Sequence, residues 1–375
     1  MSLNLKNWFA NTLALALICF GFILISGTVE AGYDHKMTVT PTQQEGEPDE
    51  QLQYTITIEN EGEDDSFNLS VTSSSIPEGY TASIIPEQLT IDEDESATAT
   101  LFVKLAPRDH PNSQGGDTHT ISFKSEAVNS AGKTKTALAG ITVKNTYGTT
   151  LTAISGEQEV EPNENVKFSM SINNTDGNTP DSITISYTAN GIDNWDVNPQ
   201  PSTMTLGVDV TGFFNLSVTP DIEATAGLKS ITILATSEDG ETVSSTSVTV
   251  KVKQLPALQV DKIDTSSKDV EAGKRVYYSF SVTNKGNAVD TFSLAVDLSS
   301  LPEGWDASLD QDTISNLGVD EKINLTDVLV VKAPIDAPAE SETSIVVTIS
   351  SDYNTTVNAT YTSRTTVLQK YDPKV

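Results

Sequence analysis

Three stretches of this sequence share one pattern, and that pattern narrows the choice of fold. Val276, Tyr278, Phe280 and Val282 alternate with small or polar residues. Val166, Phe168, Met170 and Ile172 do the same about 110 residues earlier, and Leu52, Tyr54, Ile56 and Ile58 do so once more nearer the N-terminus. A period of two puts the apolar side chains on one side of an extended backbone, which is a β-strand with one buried face. Self-similarity at a long fixed period marks tandem repeats.

The segments after these strands recur too. An Asn-containing turn comes first: Asn60-Glu61-Gly62, Asn174-Thr175-Asp176-Gly177 and Asn284-Lys285-Gly286-Asn287. Asn and Gly tolerate positive φ, so these segments are expected to turn in that way. A second alternation comes next, in Phe67/Leu69/Val71, Ile183/Ile185/Tyr187 and Phe292/Leu294/Val296. An aromatic corner closes each unit: Ile76-Pro77-Glu78-Gly79-Tyr80, Asn194-Trp195 and Leu301-Pro302-Glu303-Gly304-Trp305. Later strands match more loosely, giving seven or so short strands per repeat, and no helical period occurs after residue 31.

The pattern predicts an all-β chain of three tandem immunoglobulin-like antiparallel β-sandwiches behind an N-terminal signal helix. The expected divisions are a signal peptide at 1–31 and repeats at 32–146, 147–254 and 255–375. The joins, Lys144-Asn145-Thr146-Tyr147 and Lys253-Gln254-Leu255-Pro256-Ala257, are short and not Gly/Ser-rich, so a semi-stiff chain is expected.

Lys6 is the only charge before Glu30, and Leu13 to Ile25 is an uninterrupted apolar run. With Val29-Glu30-Ala31 behind it, this is the layout of a secretory signal peptide cut after Ala31, leaving Gly32 first. The alternative is a retained anchor, although the strongly apolar run falls short of the ~20 residues that span a bilayer. Cys19, the only cysteine, lies inside this segment. The exported chain is therefore expected to hold no disulfide and no thiolate metal site.

The net charge of −30 is spread over all three repeats. Nucleic acid and anionic lipid headgroups are poor partners for such a surface. An acidic surface keeps an extracellular protein soluble. The expected partners are cell-envelope proteins or glycans, with no membrane insertion after cleavage; the oligomeric state is left open.

The run from an alternating strand ending in Asn-x-Gly, through a Phe-x-Leu strand, to Leu-Pro-x-Gly-Trp resembles the immunoglobulin-like surface repeats of bacteria and archaea. The alpha-galactosidase-associated domain family and the cell-adhesion-related domain family are the nearest. Residues 276–305 carry the pattern almost whole, and residues 52–80 carry it with Tyr80 for Trp. Residues 166–195 keep Trp195 but lack Pro-x-Gly. The resemblance implies a noncatalytic, surface-exposed module without an active site, because such domains are attached to many proteins.

Each candidate site has a plain structural counterpart. His35, His110 and His119 match no ligand spacing and are expected to be ordinary surface histidines. Asp64, Asp65, Asp92, Asp94 and Asp176 lie in oxygen-rich turns that are weak Ca²⁺ candidates, lacking the regular spacing and distal bidentate Glu of a strong site. Otherwise no metal or cofactor is expected. Tyr80, Trp195 and Trp305 are either sugar-stacking platforms or plugs at the end of a core, and a plug is the expectation. Asn68, Asn173, Asn215, Asn324, Asn354 and Asn358 begin N-x-Ser/Thr triplets and are candidate glycosylation sites.

The function expected is that of a noncatalytic secreted or cell-surface protein acting as spacer, adhesive or envelope-associated surface. The alternative is a carbohydrate-binding accessory protein of an extracellular glycoside hydrolase. Exposed tryptophans in a groove favour the second reading and buried ones the first.

Overall fold

The computed structural model describes residues 34–130 and 132–369. The expected signal segment 1–31, with Cys19, and the expected start at Gly32 lie outside the described residues. Contacts divide the chain into two compact units. The first takes residues up to 106 together with 118–142, and the second takes 107–117 and everything from 143 on.

The first unit is one sandwich. Its strands are β1 (His35–Thr40), β2 (Gln43–Gly46), β3 (Gln51–Asn60), β4 (Asp65–Val71), β5 (Thr81–Ile85), β6 (Gln88–Ile91), β7 (Ser96–Lys104), β8 (Thr118–Ala127) and β9 (Thr134–Val143). They form a four-stranded sheet in the order β1-β3-β7-β5 and a five-stranded sheet in the order β2-β9-β8-β4-β6. The alternation in β3 does what it predicts: Leu52, Tyr54, Ile56 and Ile58 are buried, and Gln51, Gln53, Thr55 and Glu59 are exposed. Phe67, Phe123, Ile121 and Ile141 are fully buried on the other sheet.

The second unit holds two further sandwiches of the same plan. One comprises β10 (Thr150–Ala153), β11 (Gln158–Val160), β12 (Val166–Asn173), β13 (Asp181–Ala189), β14 (Asp196–Gln200), β15 (Thr203–Leu206), β16 (Thr211–Thr219), β17 (Gly227–Thr236) and β18 (Val243–Val252). The other comprises β19 (Leu258–Lys262), β20 (Ser267–Val270), β21 (Arg275–Asn284), β22 (Asp290–Asp297), β23 (Asp306–Leu309), β24 (Thr313–Leu317), β25 (Lys322–Lys332), β26 (Glu342–Ser351) and β27 (Asn358–Val367). Their sheets run β10-β12-β16-β14 with β11-β18-β17-β13-β15, and β19-β21-β25-β23 with β20-β27-β26-β22-β24. In both, one short early strand pairs parallel with the last strand, β11 with β18 and β20 with β27, while the other registers are antiparallel. The chain is therefore three tandem immunoglobulin-like sandwiches, each with nine strands rather than seven or so. The strands without a clear periodic signal are the short ones at the start of each sandwich and the short pair after the aromatic corner.

Two expectations need correction. The Asn turns contain no positive-φ Asn; the left-handed residues sit instead in the turns before the seventh strand, at Asp94, Asp209 and Asp320. β21 is not a one-faced strand. Besides Tyr278, Phe280 and Val282, it buries Ser279, Ser281 and Thr283 on the other side. A register shift between Tyr278 and Phe280 is responsible, where Asp327 takes positive φ and its N–H donates to Ser279 Oγ at 2.9 Å. Ser281 Oγ, on the same side, donates to Asp261 O of β19 at 3.5 Å.

Candidate functional site

The Asn turns are closed by a buried side chain. Asn60 and Asn284 end the third strand of their sandwiches, Asn174 directly follows it in the second, and all three are fully buried. Asn284 Nδ2 donates to the carbonyls of Ala288 at 2.8 Å and Leu317 at 2.9 Å, while its Oδ1 accepts from Gly286 N–H at 2.9 Å. Asn60 Nδ2 likewise reaches Glu63 O and Ile91 O at 2.9 and 3.0 Å, and Asn174 Nδ2 reaches Thr179 O at 2.9 Å. An amide at this place gives buried main-chain carbonyls a donor they would otherwise lack.

That stitch brings two of the acidic stretches together. Asn60 holds both the 61–65 turn and the 92–95 turn; Asp94 N–H donates to Asn60 O at 3.1 Å, and Glu93 N–H donates to Asp64 Oδ1 at 2.9 Å. Asp65 points inward. Its Oδ1 accepts from Ser66 N–H and Asn129 N–H at 2.7 and 3.0 Å. Asp181 and Asp290 are buried at the same place in the other sandwiches, and Ser351 Oγ donates to Asp290 Oδ2 at 2.6 Å. Asp65 is thus the first-sandwich version of a recurring buried aspartate. Asp176 lies beside Gly148 in the second sandwich. Among the described residues no group of three or more His, Cys, Asp and Glu side chains is placed to hold a metal ion.

The histidines differ from one another. His110 is half-buried and its Nδ1 accepts from Asn112 N–H at 3.2 Å, and His119 lies edge-on to Tyr80 with ring centres 5.0 Å apart. His35 departs from the surface position expected of it. It is fully buried, packed on Phe67 with ring centres 4.6 Å apart, and its Nε2 lies 2.6 Å from Ser125 Oγ. Burial lowers its pKa from the ordinary 6.5, with Lys135 adding to the effect and Asp34 and Asp65 opposing it. Ser125, His35 and Asp65 are the residue types of a nucleophilic triad, and nothing in their sequence spacing links them. All three are buried, so no substrate reaches the hydroxyl. Strand register places Leu258 and Ile349 at the positions of His35 and Ser125 in the third sandwich. The pair is a polar version of a core contact.

The aromatic corners come from one turn used three times. The N–H of Tyr80 donates to Pro77 O, that of Trp195 to Ile192 O and that of Trp305 to Pro302 O, at 3.1 to 3.2 Å. The residue before each aromatic has positive φ: Gly79, Asn194 and Gly304. The turn therefore survives in the second repeat without Pro-x-Gly. Tyr80 is 6% and Trp305 9% exposed, so both are core plugs, as expected. Trp195 is half-buried. It lines an open depression of about 210 Å³ with Asp193, Asn194, Asp221, Glu223 and Lys229.

Five of the six sequon asparagines, Asn68, Asn215, Asn324, Asn354 and Asn358, are exposed, while Asn173 is half-buried with Oδ1 enclosed and unpaired. Among the described residues no helix is long and apolar enough to cross a membrane.

The sequence matches no family model and no curated protein. Solved structures similar to it include mouse cadherin-23 EC22–24, at 10% identity and a TM-score of 0.45 over 89% of this chain and 99% of that one. Protocadherin gammaB7 EC3–6 is similar at 13% identity and a TM-score of 0.45, over 88% and 73%. The I-band fragment I67–I69 of titin is similar at 12% identity and a TM-score of 0.36, over 90% and 99%.

Proposed function

We propose that the chain is a noncatalytic secreted or cell-surface protein whose tandem sandwiches act as spacer, adhesive or envelope-associated surface. One observation carries this reading: three sandwiches repeat the same internal fittings, down to the buried asparagine, the buried aspartate and the corner aromatic. Repetition of fittings that hold a scaffold, with variation on the outside, is how a chain builds reach and surface. The acidic exterior and the five exposed sequons support an extracellular setting. Kinship with the alpha-galactosidase-associated and cell-adhesion-related repeats belongs to the same proposal, as do envelope proteins or glycans as partners. Fractionating a culture into cytoplasm, envelope and medium tests it. The chain is expected in the envelope or the medium, beginning at Gly32, and a cytoplasmic chain that begins at Met1 overturns it.

The Trp195 depression favours the second reading, a carbohydrate-binding accessory protein. An indole face flanked by carboxylates and a lysine offers stacking to a sugar ring and hydrogen bonds to its hydroxyls. A glycan array with wild type and Trp195→Ala tests it. Glycans bound by wild type and lost in a variant that stays folded support the accessory reading, and an array without binding removes it.

A further inference from the structure

Asn287 and Asn178 come shortly after the buried Asn in the third and second sandwiches, and they make the same five contacts. Asn287 Nδ2 donates to Ala224 O at 3.1 Å and Lys253 O at 2.9 Å, and its Oδ1 accepts from Leu255 N–H at 2.7 Å. Its own N–H donates to Leu255 O at 3.2 Å, and its carbonyl accepts from Ala226 N–H at 2.9 Å. Asn178 Nδ2 donates to Ser113 O at 3.1 Å and Lys144 O at 2.9 Å, and its Oδ1 accepts from Thr146 N–H at 2.8 Å. Its N–H donates to Thr146 O at 3.1 Å, and its carbonyl accepts from Gly115 N–H at 2.9 Å. Paired distances agree within about 0.1 Å.

The partners fall into two kinds. Lys253 and Leu255 belong to the linker ahead of the third sandwich, and Ala224 and Ala226 to the loop between β16 and β17 of the second. For Asn178 they are the 144–146 linker and the 113–115 segment, both within the second unit. The residue before each Asn is Gly for a reason of space. A Cβ on Gly286 would sit 2.8 Å from Leu255 O, and one on Gly177 would sit 3.0 Å from Thr146 O. Every partner atom is main chain, so the Asn reads the path of the backbone and not its side chains. The first sandwich carries Gly62-Glu63 after Asn60 and has no such asparagine.

We propose that Asn287 is a locking residue that fastens the second sandwich to the third as one rigid body, and that Gly-Asn after the buried Asn marks a repeat built to dock on the chain ahead of it. Asn178 is the same lock, closed on the 107–117 segment and its linker. This deepens the spacer reading, because a locked joint transmits orientation where a free linker does not. It does not depend on where the protein resides.

The test uses the full chain. Backbone ¹⁵N relaxation reports whether β10–β18 and β19–β27 tumble together, and amide exchange reports on Leu255 and Ala226. In wild type the two sandwiches are expected to share one correlation time, with both amides protected. Asn287→Ala is expected to separate the correlation times and speed exchange at Leu255 at least tenfold, while core amides such as those of Ile233 and Val347 stay protected. Asn287→Asp keeps the acceptor but loses both donors, and is expected to loosen the joint as well. Joint tumbling retained in Asn287→Ala overturns the proposal. So does loss of core protection in the third sandwich in both variants, which would make Asn287 a folding residue. A cytoplasmic location found by fractionation would sink the surface reading and leave the lock standing.

Discussion

Trp195 and Trp305 occupy the same position in consecutive sandwiches, each the last residue of a turn closed by its own N–H, yet Trp195 is half-buried at the edge of its core and Trp305 lies within its own. The residue before them differs, glycine at 304 and asparagine at 194. Gly304 lies so close to the loop after β25 that a Cβ there would come within 3.1 Å of Pro334 Cγ. With no side chain in the way, that turn packs close against the loop. Asn194 has a Cβ at the equivalent place, and Trp195, packed against the core, also lines the depression beside the 220–225 loop. The corner with glycine at the positive-φ position buries its aromatic ring, and the corner with asparagine there leaves its ring half-buried.

The largest effect expected from this contrast is on stability. Trp305→Ala should cost the third sandwich roughly 3–5 kcal/mol, the range for emptying a large aromatic site, and Phe280→Ala should do the same. Trp195→Ala, losing less burial, should cost the second sandwich about 1–2 kcal/mol. Denaturant melts of the full chain, followed by amide exchange at Ile233 in the second sandwich and Val347 in the third, measure both. Equal costs would erase the distinction between the two corners.

The buried asparagines sharpen it further. Asn284→Ala leaves the Ala288 and Leu317 carbonyls without their side-chain donor and should cost about 2–3 kcal/mol. Asn174 holds only one close bond, since Leu206 O and Gly207 O lie 3.4 Å away and its Oδ1 is unpaired. Asn174→Ala should therefore cost less, about 1–2 kcal/mol, in the same melts. Gly304→Asn transplants the second-repeat turn into the third. It should destabilise that sandwich by about 1 kcal/mol through crowding at Pro334 and make Trp305 more accessible to acrylamide. Unchanged quenching would mean that the Cβ is not what sets the corner apart.

The first sandwich differs from both by its pH response. His35 is held neutral in the fold, with a pKa below its unfolded value of 6.5. The unfolded chain then binds the proton more readily, so the stability linked to His35 is full above pH 6.5 and falls as the pH drops below it. The melting temperature of the first sandwich should decline from that point, before the carboxylates titrate, and His35→Leu should flatten this part of the profile.

Much of this fold is legible in the sequence, because the strands that build the cores are long and alternate bulky apolar residues with small or polar ones. Tyr54, Phe168 and Tyr278 declare their burial within a few residues of chain. The short strands Thr81–Ile85 and Gln88–Ile91 offer too few residues to show a period, so a count of periodic segments falls short of nine. Local chain chemistry locates the Asn turns and misattributes their cause, since the choice of Asn rests on carbonyls some thirty residues away, such as Leu317 O. The burial of His35 leaves no trace nearby, because its partner Ser125 is ninety positions further on. The Trp195 depression lies beyond a linear reading for a similar reason: it depends on how closely two loops distant in sequence can approach.

The lock at Asn287 also bears on how such a chain lengthens. Since it grips only main-chain atoms of its predecessor, the side chains of the linker and loop are free to drift without loosening it. A duplicated third repeat would arrive with its own Gly286-Asn287 pair and need only a predecessor whose backbone takes the same path. The first repeat, without that asparagine, is suited to lead the array and not to follow within it.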